Sequence, residues 1–188
     1  MLHIVNLEEI QNLLLRVPGL INALERRDPN LMDVVKEWLV QAEQILVSNR
    51  LAVAAEVAVL RGVLISAERG VLPPGLVLSG RATARKIRDA SAADVLRKAE
   101  EIVSNATRAD VAQLAEAERL ARKIVSVAQR KGLIIPAAIA ITHTEVLNIY
   151  WNAMIADQDL GPPTTHLAGL VGVHDALILI DRMLPMPA

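Results

Sequence analysis

The 188-residue chain contains no cysteine and no phenylalanine, one tyrosine (Tyr150) and two tryptophans (Trp38 and Trp151). Without cysteine it can form no disulfide, no thiolate metal site and no cysteine nucleophile. Scarce rings argue against aromatic ligand cages and base-stacking platforms, which draw on large flat side chains. Also missing are a Gly-rich phosphate loop, a His-Glu-x-x-His pair and the Glu-x-x-His repeats of di-iron bundles. No metal and no cofactor is therefore expected. The first residues lack the basic head and small-residue cleavage site of a secretory signal, and the cytoplasm is the expected location.

What is present is aliphatic. Hydrophobic residues make up 53% of the chain, nearly all Ala, Leu, Ile, Val and Met, and the mean hydropathy is +0.35. An interior of this kind, with straight-chain charged residues outside it, favours helix packed on helix. No stretch alternates apolar and polar residues over the length of a strand, so the expected fold class is all-α, a multi-helix bundle. The expected layout is an N-terminal helical segment over 1–28 and the bundle over 29–188. The oiliest run, 133–156, is long enough to cross a bilayer but carries Pro136, His143, Glu145, Asn148 and Asn152. A charge at mid-bilayer costs about 2.5–3.5 kcal/mol. The run is read as a buried helix whose surplus apolar surface meets another subunit, with no membrane span.

Several boundaries follow from local chemistry. Pro18-Gly19 predicts a kink or two short helices near the start. Asp28-Pro29 reads as a helix cap followed by a first helical residue. From residue 31 a heptad pattern runs through Val35, Trp38, Ala42, Ile45, Asn49, Ala52, Glu56, Val59 and Val63. It predicts one continuous or kinked helix over 31–69; a hairpin turning at Ser48-Asn49-Arg50 is the alternative. Gly70 and Gly132 read as left-handed helix caps. The oily linker 71–80 is expected to pack over the bundle, with insertion into a partner as the alternative. A short basic helix over 81–90 should follow. Ser91…Asp94 and Thr107…Asp110 read as capping boxes, so 91–131 is expected as two helices or one long bent one. Pro136 should open the next helix, Gly161-Pro162-Pro163 should break the chain, and Thr164 or Thr165 should cap a last helix over 166–184.

Charge is uneven. Residues 1–80 carry 7 Lys/Arg against 9 Asp/Glu, residues 81–131 carry 12 against 7, and residues 132–188 carry 1 against 5. A basic middle and an acidic end suit surfaces that meet different partners. Arg81, Arg85, Lys86 and Arg88 form the densest cationic cluster, a candidate site for an anion, nucleic acid or acidic protein. The sequence pI of about 6.4 and the lack of a neighbouring aromatic weigh against nucleic acid. Further along, Glu116 with Arg119 and Glu118 with Arg122 have the spacing of intrahelical ion pairs.

In the oily last third, His143, Glu145, Asn148, Asn152, His166, His174 and Asp175 are the polar exceptions. Of these, His143, Glu145, Asn152, His174 and Asp175 are the candidates for a catalytic or ligand site. Glu145, Asn148 and Asn152 share one helix face, while His143 points elsewhere. A solvated strip explains them as well as a site does. The leading expectation is a non-catalytic helical bundle that forms homo-oligomers and works as an adaptor, regulatory or assembly component, with a further protein partner open to it. An enzyme or small-ligand binder using the last two helices is the alternative, and a binder of nucleic acid or acidic partners through 81–88 is the second.

Overall fold

The structure is a computed structural model that describes residues 2–26, 28–78, 83–134 and 142–184. Among them are eight α-helices and no strand: α1 Ile4–Leu14, α2 Val17–Glu25, α3 Leu31–Ser48, α4 Ala54–Glu68, α5 Ala84–Arg130, α6 His143–Ala156, α7 Gly161–Val171 and α8 Val173–Met183. The all-α expectation is met. The chain divides into two compact units, Leu2 with Ile4–Arg108, and His3 with residues 109 onward.

In the first unit α1 and α2 pack on α3 and share its core. Pro18 lies in the first turn of α2. It offers no N–H to the Leu14 carbonyl four residues back, so α1 stops at Leu14. Asp28 is not the cap of α3. Its side chain accepts a 2.8 Å hydrogen bond from the Asn30 N–H, and Asn30 holds the cap position.

The long helix expected over 31–69 is two helices. Ser48 Oγ and Asn49 Nδ2 both donate to the Ile45 carbonyl, at 2.9 and 2.8 Å. Arg50 then takes a left-handed conformation, with φ 56°. The Leu51 N–H reaches back to the Leu46 carbonyl at 2.9 Å, and this six-to-one bond closes the helix end. Polar side chains that hydrogen-bond to nearby backbone compete with helix continuation. α4 folds back along α3 in the most extensive helix pairing of the unit. Arg61 bonds Glu43 at 2.9 Å and Lys36 meets Glu68 at 2.6 Å, a register that makes the hairpin antiparallel. The hydrogen bond to Glu68, aided by one to Asp33, holds the Lys36 ammonium above the ordinary lysine range.

Trp38 is fully buried in the core that also holds Ile10, Leu13, Leu39 and Leu64, and its indole N–H donates to the Leu13 carbonyl at 3.0 Å. Buried Trp is stable there because its one polar atom is satisfied. Gly70 ends α4 with φ 80°, and the Val71 N–H bonds the Ser66 carbonyl. The loop beyond it packs less than expected: Pro73 is buried, but Val71, Leu72 and Val77 remain exposed. Residues 79–82 lie outside the described residues.

The unbroken helix is α5, 47 residues and about 70 Å long at 1.5 Å per residue. The separate basic helix and the divisions at 91 and 107 do not occur. Ser91 and Thr107 are buried on its inner face, and the Thr107 hydroxyl donates to the Val103 carbonyl four residues back. Ala92, Val95, Leu96, Ala99 and Val103 complete the first unit's core.

The second unit holds the rest of α5 with α6, α7 and α8. Leu114, Ala117, Ala121, Ile124, Val125 and Ala128 are buried along α5. Gln113 Nε2 donates to the Leu170 carbonyl at 2.7 Å, and Lys131 binds Asp157 and Asp159 at 2.7 and 2.6 Å. Gly132 is left-handed at φ 70°, as its position predicted. Pro136 lies outside the described residues, and α6 begins instead from Thr142. Gly161-Pro162-Pro163 form the first turn of α7 rather than a gap before it. Thr164 is fully buried within α7 and caps nothing. The single last helix expected over 166–184 is broken at Gly172, whose φ of 81° and ψ of 157° are open only to glycine. Among the described residues no single helix is long and apolar enough to cross a membrane. α7 and α8 reach that length only jointly, and they are bent by 115°.

Candidate functional site

The polar residues of the last third do not converge. His143 opens α6, and its Nε2 lies 2.7 Å from Asp181 Oδ1 of α8. Glu145 completes a capping box: its carboxylate accepts from the Thr142 N–H and hydroxyl, both at 2.8 Å, while Thr142 Oγ1 accepts from the Glu145 N–H at 3.3 Å. The backbone hydrogen bond from Thr142, with its hydroxyl second, pulls the Glu145 carboxyl below the usual range. This is end-of-helix chemistry. Asn148, Asn152, His166 and His174 are exposed. Asp175 is buried in α8, with Oδ2 3.3 Å from His3 Nδ1. Among the described residues no group of three or more His, Cys, Asp or Glu could hold a metal ion. None of the five catalytic candidates lines the open furrow on α5 or the open groove on α4.

The 81–88 cluster is partly visible. Arg81 lies outside the described residues. Arg85, Lys86 and Arg88 are exposed on the first turns of α5, and Arg85 has Asp89 within 3.7 Å. Cations at a helix N-terminus face the positive end of its dipole.

A stronger cationic feature lies further along the same helix. Arg119, Arg122, Lys123 and Arg130 stand at i, i+3, i+4 and i+11 and are all exposed. At 100° per residue they fall within about 100° of arc, opposite the buried stripe of Leu114, Ala117, Ala121, Ile124, Val125 and Ala128. With Ser126 and Val127 they line an open furrow of about 590 Å³. The expected pairs Glu116–Arg119 and Glu118–Arg122 do not form. Among the described residues none of the four cations makes an ion pair, in contrast to Arg97 and Lys98 on the same helix and Lys131 just beyond its end. Arg119 has like-charged neighbours three and four residues on, each costing a few tenths of a kcal/mol. The spacing was legible in the sequence, but the carboxylates beside it masked the signal.

A second surface feature is apolar. Val59, Gly62, Val63 and Ser66 of α4 form, with Val71, Pro73 and Pro74, an open groove of about 450 Å³. Val59 is 66% and Val77 92% exposed. Gly62 sits mid-helix facing open space, with no atom within 4 Å of where a Cβ would stand.

The described residues form an all-α helical bundle, and the furrow on α5 and the groove on α4 are both open surface features. In comparisons with known proteins, no family model matches the chain, and no match was found among curated proteins or solved structures.

Proposed function

We propose that this protein is a non-catalytic helical-bundle component that self-associates and serves as an adaptor, regulatory or assembly subunit. The observation that carries the reading is the outer face of α4, where exposed Val59, Gly62 and Ser66 with partly buried Val63 line a groove of small, mostly apolar residues. A glycine inside a helix costs about 1 kcal/mol relative to alanine. Nothing within the chain crowds Gly62, so that cost has no internal reason. A small residue at the middle of an apolar face lets a second helix approach closely, and α4 of another copy supplies the same small, aliphatic surface. A two-fold arrangement matches such a face to itself. The scattering of the polar groups of α6, α7 and α8 further supports a role without catalysis.

Sedimentation equilibrium at micromolar concentration tests the reading. A dimer or larger species is expected, and Val59→Lys should shift it to monomer without changing the helical circular-dichroism signal. A monomeric wild-type chain, or a variant that assembles like wild type, overturns it.

A further inference from the structure

We propose that the outer face of α5 from Ala112 to Arg130 is a docking surface for an acidic helix of a partner protein. The inference goes beyond self-association and does not rest on it. Four cations, Arg119, Arg122, Lys123 and Arg130, occupy three turns of a helix whose opposite face is anchored by buried Leu114, Ala117, Ala121, Ile124 and Ala128. Burial therefore fixes which way the cations point. None finds a carboxylate within the described residues although Glu116 and Glu118 are near in sequence, so the repulsion among them is left standing.

The partner's chemistry follows from the spacing and the surroundings. From Arg119 to Arg130 the helix rises about 16 Å, the span over which a facing helix presents carboxylates at three- and four-residue intervals. Guanidinium forks pair carboxylates through two parallel hydrogen bonds. Exposed Ala112 and Ala115 extend the strip toward the N-terminus and keep it low. Ser126 and partly buried Val127 floor the furrow between the cations. These small surfaces admit a helix at ordinary interaxial distance.

Nucleic acid fits less well. Trp38, Tyr150 and Trp151 are all buried, which leaves no ring to stack a base. Duplex affinity grows with the number of phosphates neutralised, and this face offers four cations on a chain whose net charge is −1.

The test is fluorescence anisotropy of the full chain with a labelled Ala/Leu-based helical peptide of roughly 20 residues, carrying Glu at alternating three- and four-residue intervals. Saturable binding is expected at low salt, weakened roughly tenfold at physiological ionic strength. Combining Arg119→Glu with Arg122→Glu should weaken it by about tenfold or more, with circular dichroism and sedimentation unchanged. Arg85→Glu with Arg88→Glu should leave it intact. Absence of saturable binding, equal binding by the 119/122 variant, or tighter binding of a duplex DNA of similar length overturns the proposal. So does loss of self-association in the 119/122 variant, which would assign the face to contacts between copies. A monomeric wild-type chain that still binds the peptide sinks only the self-association reading.

Discussion

The α3–α4 segment and α5 respond in opposite ways to the same backbone physics. Residues 31–61 contain no glycine or proline, yet the chain turns back at Asn49–Val53. α5 carries Ser91, Ser104, Asn105 and Thr107, all weaker helix formers, yet runs through 47 residues. The difference lies in where the apolar faces can go. α3 and α4 are aliphatic on more than one side, and even after folding Val40, Val47 and Val59 remain exposed. Turning back lets each bury its largest side chains against the other. α5 buries its large aliphatic side chains along one stripe and carries mostly charged and small residues elsewhere, so an unbroken helix leaves no large apolar side chain in water. Helix length here is decided by burial, with propensity as a minor vote.

The contrast can be broken in graded ways. The largest effect is expected at Trp38, the side chain around which the hairpin packs. Trp38→Ala should cost about 3–5 kcal/mol in urea unfolding, and a loss under 1 kcal/mol would deny that the turn exists to build this core. Proline separates the two segments directly. Ala112→Pro, on the exposed face inside α5, should cost about 3 kcal/mol or more. Ala52→Pro should cost less than about 1 kcal/mol, because the Ala54 N–H bonds the Leu51 carbonyl, which makes Ala52 the second residue of a turn that favours proline. Equal costs in calorimetry would erase the distinction. Arg50→Gly should relieve the left-handed backbone at the hairpin, a gain of about 1 kcal/mol and a rise in Tm of about 2–4 °C. An unchanged or lower Tm would count against the turn.

The smallest effect concerns pH. Hydrogen bonding to Lys131 holds the Asp157 carboxyl below its usual range, and Glu145 is lowered by its cap. A carboxyl depressed on folding stabilises above its unfolded pKa of about 4, and the benefit is lost as pH falls through the lower, folded value. Lys131, raised chiefly by its hydrogen bond to Asp157, works oppositely, with its benefit lost above about pH 10.4. Asp157→Asn should flatten the acid limb of a thermal-melt series while Ala52→Pro leaves it unchanged.

The fold class and the caps at Gly70 and Gly132 were legible because aliphatic composition and glycine handedness act locally. The turn at 49–53 was not decisive in sequence. Its left-handed residue is an arginine, and Asn49 with Glu56 could equally have been polar positions on a long seam. Gly172 was not distinctive because the same apolar run holds Gly169, which α7 tolerates in its interior. Ser91 and Thr107 carried genuine capping spacing, yet tertiary burial placed them on an inner face. For the surface features, the spacing of Arg119, Arg122, Lys123 and Arg130 was in plain view. Whether Glu116 and Glu118 would neutralise them depended on side-chain directions that spacing does not give.

The rarity of rings has an experimental use. Trp38 is the only tryptophan in the first unit and Trp151 the only one in the second, and both are shielded from water. Each unit therefore carries a native emission reporter of its own. Trp38→Phe and Trp151→Phe, followed by fluorescence during denaturation, would show whether the two halves of the chain along α5 melt as one cooperative block or in separate steps.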